Sequence, residues 1–345
     1  MRAVVVDAVR SQPEVREVPE PSAPAGGVVV RVLATGVCRS DWHAWAGHDD
    51  IAFPHVPGHE LAGEVVEVGD GVERWRVGDR VTVPFVCGCG RCEWCRQGDA
   101  QVCPDQHQPG FTHWGSFAEL VALHAADTNL VAVPAEVEMA TAASLGCRFA
   151  TAYRALVARA RVETGEWVTV VGSGGVGLSA VMIAKAVGAR VVAVDRNPEA
   201  LAVAARLGSD HTVLADGVDV PAAVADLTGG GSHVAVDAVG SEQTCADAIL
   251  ALRRRGRLAQ VGLLPPVDGH PRVPMARVIG WELDLLGSHG MAAADYPAMM
   301  ALIEAGDLRP QLLVERVIGL DEAAALLPVF DSATVAGMTI VDPTT

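Results

Sequence analysis

Cys89, Cys92, Cys95 and Cys103 lie on one short stretch of chain, with gaps of two, two and seven residues between them. Four thiols at that spacing suit a closed tetrahedral metal shell. Zn²⁺ accepts four thiolates at about 2.3 Å, and a four-cysteine shell leaves no position for a substrate. A structural zinc ion is therefore expected to hold this lobe, about residues 87–104, in shape. Two disulfides are the alternative. They fit poorly with the regular gaps and with an N-terminus whose apolar run is broken by Asp7, too early for a secretory leader. Eight cysteines in such a chain read as reduced thiols. A cytoplasmic address is expected.

The 345 residues exceed one comfortable core and suggest two domains. Half of them are hydrophobic, so burial is ample. With 26 Lys+Arg against 42 Asp+Glu, the net charge of −16 argues against nucleic acid and anionic membranes as partners. No apolar run approaches the length of about eighteen residues that marks a membrane span.

Up to about Val133 the chain is punctuated by Gly and Pro and carries short β-branched runs. Val28–Val32, Leu61–Val68, Arg80–Val83 and Phe117–Ala122 read as strands of a small β-barrel. From about Thr151 apolar strands alternate with Ala-rich helices. Strands are expected at Trp167–Val171, Arg190–Val194, Thr212–Leu214, Val234–Asp237, Leu258–Val261 and Leu283–Leu286. Helices are expected at Val176–Val187, Pro198–Leu207 and Gln243–Leu252. Six strands with crossover helices predict a doubly wound parallel sheet of the Rossmann type. The expected division is residues 1–150 plus 292–345 for one domain and 151–291 for the other.

Trp167–Val171 runs straight into Gly172-Ser173-Gly174-Gly175-Val176-Gly177 and then an apolar helix. Gly172 is expected to permit the tight turn. Gly174 would let a pyrophosphate approach the backbone, and Gly177 would let helix and strand pack closely. The first turn of the helix, from Gly175 and Val176, would offer unpaired N–H groups to the phosphates. Asp195 ends the next strand eighteen residues beyond Gly177. It is placed to bind ribose hydroxyls and to repel a 2′-phosphate, which favours NAD(H) over NADP(H). Arg196 beside it pulls the other way.

Cys38-Arg39-Ser40-Asp41-Trp42-His43, Gly58-His59-Glu60, the four-cysteine lobe, Leu145-Gly146-Cys147 and the nucleotide loop occur together along nearly the whole chain. In this the sequence resembles the zinc-dependent alcohol dehydrogenases of the medium-chain dehydrogenase/reductase superfamily. The resemblance implies a GroES-like β-barrel catalytic domain beside the Rossmann sheet, and two zinc ions per chain. Cys38, His59 and Cys147 would bind the catalytic ion and leave a fourth position open, a known catalytic shell. Glu60 would lie behind the metal, and Asp41 would orient His59. The reaction implied is reversible hydride transfer between a primary or secondary alcohol and NAD(H). Ser40, the nicotinamide ribose and His43 would relay the proton.

The resemblance also implies cofactor contacts from Arg39, from Val261, Gly262 and Leu263, and from the loop containing Ser288. Phe85, Trp45 and Trp114 are the candidates for the alcohol pocket. Cys147 leans toward simple alcohols, because polyol dehydrogenases of the superfamily often carry a carboxylate there. A polyol dehydrogenase and a non-catalytic redox sensor are the rival readings. Relatives assemble as homodimers or homotetramers. The chain departs from many of them at Gly337-Met338, where a cation after the glycine is missing, and at Ser288-His289, where a Thr-Arg pair is absent. His48, His55, His107 and His113 read as ordinary polar residues of the surface, Cys87 as a spare thiol and Cys245 as core.

Overall fold

The computed structural model describes residues 1–264, 269–331 and 337–345. Its strands are β1 (Arg2–Val5), β2 (Glu14–Glu17), β3 (Val28–Val37), β4 (Glu60–Val68), β5 (Arg80–Thr82), β6 (Leu120–Leu123) and β7 (Val131–Ala132). They continue with β8 (Trp167–Val171), β9 (Arg190–Asp195), β10 (His211–Leu214), β11 (Ser232–Asp237), β12 (Leu252–Gln260), β13 (Asp284–Gly287), β14 (Val314–Ile318) and β15 (Met338–Val341). The chain divides into two compact units. One comprises Met1–Ala150, Gly290–Ala305 and Pro310–Thr345; the other comprises Thr151–His289 and Gly306–Arg309.

The first unit is built on a seven-stranded sheet, order β14-β15-β3-β4-β5-β7, with β6 added against β3. Val28, Val30 and Val32 of β3 pack with Leu61, Val65, Val81 and Val121 in a buried cluster. Their period of two is what a strand with one buried face requires. Each such Val contributes roughly 1.5–3 kcal/mol through burial. The chain's last strand, β15, returns to this sheet and pairs antiparallel with β3, placing Val341 opposite Thr35 and Thr339 opposite Val37. β3 thus runs five residues beyond the expected Val32. Ala34-Thr35-Gly36 carries little strand signal of its own, and pairing with β15 and β4 supplies it.

The second unit holds six parallel strands in the order β10-β9-β8-β11-β12-β13. This is the doubly wound order 3-2-1-4-5-6, with the first strand central. β8 is buried along its whole length, which explains its unbroken Trp-Val-Thr-Val-Val run. Helix Pro198–Arg206 starts where expected: Asn197 caps it by accepting from Glu199 N–H at 2.9 Å, and proline occupies its first turn. Two boundaries differ. Helix Glu242–Leu250 stops two residues early, because Leu252 already enters β12. β12 begins six residues before the expected Leu258; Arg253-Arg254-Arg255 has no apolar alternation to betray it. Helices Val220–Thr228 and Met275–Trp281 were not anticipated. Among the described residues no helix is long and apolar enough to cross a membrane.

Candidate active site

β3 delivers the chain to Cys38, the N-cap of helix α1 (Arg39–Ala46). Asp41, in the first turn of α1, is buried and folds back onto three partners. Its Oδ2 accepts from Cys38 N–H at 2.8 Å, and its Oδ1 accepts from Gly58 N–H at 3.1 Å. The same Oδ1 lies 2.9 Å from Nδ1 of His59. In the neutral ring, the form that binds metal, a carboxylate there makes Nδ1 the protonated nitrogen and puts the lone pair on Nε2. That Nε2 is buried without a hydrogen-bond partner among the described residues. Gly58 makes the turn possible: its φ is +102°, and a Cβ there would sit 2.6 Å from the Phe117 ring.

Cys147 arrives from a π-helical turn, Leu145–Phe149, that follows helix Met139–Ala143. Such turns are rare and re-aim side chains at functional sites. The ligating atoms of Cys38, His59, Glu60 and Cys147 lie within 4.8 Å of one another. A hydrogen bond from Cys147 holds the Cys38 thiol well below its usual range against the cost of burial, with His59 assisting. The same bond, then burial, pushes Cys147 well up, so the pair shares one proton. Burial disfavours an imidazolium at His59, yet Asp41 and Cys38 outweigh it and push that group up. Two thiols that cannot both ionise, facing an orphaned imidazole nitrogen, fit a divalent cation, whose charge lets both sulfurs lose their protons.

Glu60 is tied elsewhere. Its Oε1 accepts from Arg148 N–H at 3.0 Å and from Nε at 2.9 Å, and its Oε2 pairs with Arg148 Nη2. Burial raises the carboxyl's pKa, and Arg148 opposes the shift. The pair needs space beside β3, which Gly36 leaves: a Cβ there would lie 2.1 Å from Glu60 Oε2. Arg148 was missed by sequence reasoning, although it directly follows Cys147.

Around this group, the Ser40 hydroxyl lies 3.8 Å from Cys38 Sγ. His43 Nδ1 stands 2.8 Å from Nδ1 of His48, which is exposed. Burial, then His48 and Arg39, lower the His43 pKa. His48 is thus exposed, as expected, and is also a partner of His43. Arg39 is exposed and forms an ion pair with Asp331. Phe85 meets the His59 ring edge-on at 6.1 Å between centroids, and Phe111, which no motif flagged, lies at 5.2 Å. The indole N–H of Trp45 donates to Ser11 O at 2.7 Å and that of Trp114 to Pro54 O at 3.0 Å. No hydrogen bond or ring contact described for either reaches the His59 group. His55, expected at the surface, is 4% exposed, and its Nε2 bonds to Gly110 O at 2.8 Å. The 110–115 turn covers it.

In the lobe, the four sulfurs of Cys89, Cys92, Cys95 and Cys103 lie within 4.8 Å of one another. Cys92 caps the short helix Glu93–Gln97 and accepts from Cys95 N–H at 3.4 Å. Cys89 N–H points to Cys103 Sγ at 3.4 Å. A backbone N–H from Arg91 is the first cause that brings the Cys89 thiol down to about 6. A four-sulfur nest with N–H donors suits a four-coordinate zinc.

In the second unit, Gly172 has φ +93°. A Cβ on Gly177 would fall 1.7 Å from Gly172 O, so both glycines are dictated by the turn itself. Gly174 is different: a Cβ there would meet nothing within 4 Å. Protein packing does not require that glycine, whereas close approach of a ligand would. The adjacent Ser173 Oγ is buried and unpartnered among the described residues. Gly175 and Val176 open the helix Gly175–Ala186. Asp195 Oδ2 accepts from Ser173 N–H at 2.5 Å and Oδ1 from Asn197 N–H at 2.8 Å, which ties the loop to β9. Arg196 is exposed. Val261 and Gly262 both donate to Asp237 O, at 3.1 and 2.8 Å, and Leu263 is 74% exposed. Ser288 N–H bonds to Gln260 O, and its buried Oγ has no partner among the described residues. The loop and its orphaned hydroxyl fit a dinucleotide.

Comparison with known proteins adds an independent line. Residues 24–135 match the alcohol dehydrogenase GroES-like domain, and residues 175–305 match the zinc-binding dehydrogenase domain. An alcohol dehydrogenase of Geobacillus stearothermophilus is 37% identical over 268 residues, 77% of this chain and 78% of that one. A sorbitol dehydrogenase of Halalkalibacterium halodurans is 33% identical over 306 residues, 87% of each. The solved structure of an NAD-dependent alcohol dehydrogenase superposes with a TM-score of 0.89 at 32% identity, covering 99% of both chains.

Proposed function

We propose, for a chain that belongs to the zinc-dependent alcohol dehydrogenases and is an oxidoreductase acting on CH–OH donors, that Cys38, His59 and Cys147 hold its catalytic zinc. The carrying observation is His59 Nε2, a buried nitrogen with no hydrogen-bond partner among the described residues, made a stronger base by Asp41, which accepts from Nδ1 on the far side of the ring. Zinc held there would supply a Lewis acid for the alcohol oxygen, and a bound NAD would supply the hydride acceptor. Ser40, beside Cys38, accepts the hydroxyl proton. His43 carries it outward to His48, an exposed ring 2.8 Å away. Phe85 and Phe111 wall His59 and exclude water. Cys89, Cys92, Cys95 and Cys103 hold the second, structural zinc.

NAD(H) is the preferred cofactor. Asp195 supports this: its carboxylate is fixed by two backbone N–H groups at the end of β9, where a 2′-phosphate would meet it. Ser173, Gly174, Gly175 and Val176 bind the pyrophosphate. Residues 151–291 form the dinucleotide-binding domain, and residues 1–150 with 292–345 form the catalytic one. The protein acts in the cytoplasm as a homodimer or homotetramer, a reading that rests on its resemblance to the family.

A polyol dehydrogenase is the second reading, favoured by the sorbitol dehydrogenase relative. Cys147 instead of a carboxylate speaks for simple alcohols. Steady-state NADH formation with ethanol, benzyl alcohol, 2-butanol and sorbitol, alongside zinc content, tests both. Turnover of the first three with about two zinc ions per chain supports the proposal. Selective turnover of sorbitol replaces it with the polyol reading, and a single lobe-bound zinc with no turnover defeats both.

A further inference from the structure

Beyond the two zinc groups, His107, His113 and His124 bring their ring nitrogens within 4.8 Å of one another, as close as the sulfurs of the four-cysteine lobe. All three belong to the first unit, and all are half-buried. They come from separate pieces of chain. His107 is bridged to Cys87 at the root of the lobe by two backbone hydrogen bonds, 2.8 and 2.7 Å. His113 closes a turn in which Gly110 N–H bonds to His113 O at 2.9 Å. His124 directly follows β6. The rings of His107 and His124 stack at 4.5 Å, and that of His113 meets His124 edge-on at 5.1 Å.

The hydrogen bonding and surroundings of two of these rings are compatible with a ligand role. His113 Nδ1 lies 3.0 Å from Trp114 O, so it carries the hydrogen and Nε2 carries the lone pair. Burial first, then the neighbouring His124, pushes His113 down to about 4. Burial and then His107 lower His124. At neutral pH these two rings are therefore neutral, the form that metals bind.

We propose that His107, His113 and His124 form a third metal site, an all-imidazole shell for a divalent late transition ion such as Zn²⁺ or Ni²⁺. Three nitrogens at a half-exposed position leave further coordination to water, and imidazole sets of this kind select late first-row ions. The ion clamps the lobe root, the end of β6 and the 108–115 turn. That turn carries Phe111 against the His59 ring, and a Cβ on its Gly110 would lie 2.5 Å from Gly58 O. The third ion thus braces a wall of the candidate active site without entering it.

The test uses tag-free protein prepared with two zinc ions per chain, verified by metal analysis, so that the three histidines are free, titrated with Ni²⁺ by calorimetry and compared with His113→Gln and His124→Gln. One nickel ion per chain is expected in the parent. Its affinity should fall at least about tenfold in each variant, with the cysteine-bound zinc content unchanged. Absence of saturable uptake in the parent, uptake unchanged in both variants, or zinc released as nickel enters overturns the proposal. A second readout needs no variant. Nickel should protect His107, His113 and His124 from acylation by diethylpyrocarbonate, mapped by mass spectrometry; protection confined to other histidines overturns the site. Neither readout depends on turnover, so failure of the third site and failure of the catalytic reading are separable.

Discussion

Asp41 and His59, both fully buried, face each other at 2.9 Å, and Asp41 also holds the backbone N–H groups of Cys38 and Gly58. One carboxylate therefore orients an imidazole and pins the segments that carry two of the proposed ligands. Asp41→Asn keeps the size but can present an N–H where an acceptor is needed. Zinc at Cys38, His59 and Cys147 should weaken about 10–100-fold, while the lobe zinc stays. Chelator competition with metal analysis checks this; equal loss from both sites would refute it.

The Arg148 guanidinium neutralises a buried Glu60 through two hydrogen bonds, and its backbone N–H adds a third. Arg148→Met removes one partner and leaves the other charge buried, which costs about 3–5 kcal/mol. The double variant Arg148→Met/Glu60→Gln should recover part of that loss. Denaturant midpoints of the four proteins in the cycle measure the coupling, and strict additivity would contradict it.

Gly174 and Gly177 separate ligand demands from packing demands. Gly177→Ala forces a Cβ onto Gly172 O and should cost about 1–3 kcal/mol of stability. Gly174→Ala meets open space, so its stability should stay within about 0.5 kcal/mol. Its NADH affinity should nevertheless fall about tenfold, or about 1.4 kcal/mol. Thermal melts paired with NADH fluorescence titration distinguish the two; unchanged NADH binding in Gly174→Ala would remove that backbone from the cofactor site.

Asp195→Ala removes a carboxylate that would repel a 2′-phosphate, leaving Arg196 beside the vacated position. Unit charges 4 Å apart interact by about 4 kcal/mol at an effective dielectric of 20, and solvent at this half-exposed position discounts that several-fold. The ratio of kcat/KM for NADP to that for NAD should rise about 10–100-fold, corresponding to about 1.4–2.7 kcal/mol. A ratio that does not move would assign Asp195 to loop geometry alone.

His55 is buried, and that burial lowers its pKa against the hydrogen bond that Nε2–H donates to Gly110 O. As pH falls below the ordinary histidine value of about 6.5, the unfolded chain takes up the proton first. Stability is therefore retained above that value and lost below it, toward the depressed folded pKa. Other histidines and the metal sites also respond to acid, so the readout is a difference. Denaturation of the parent and of His55→Gln between pH 7.5 and 5 should show a shallower decline in the variant. Parallel curves would exclude His55 as a contributor.

The lobe cysteines, the strand-to-glycine transition at Val171-Gly172 and the six apolar strands were legible because each is a local pattern: thiol spacing, turn chemistry, periodicity. Cys38, His59 and Cys147 were legible only as matches to family motifs. Nothing in their spacing says that a strand end, a left-handed glycine turn and a π-helical turn converge.

Tertiary structure alone decided the rest. Gly36 is small because the Glu60–Arg148 pair occupies the space beside it. β3 reaches Cys38 because the last strand of the chain pairs with Thr35, Gly36 and Val37. His48 joins His43, and three histidines read as surface or not singled out become one cluster. These relationships are long-range: periodicity records which face a residue presents, whereas hydrogen bonding and side-chain convergence depend on which distant segment comes to meet it.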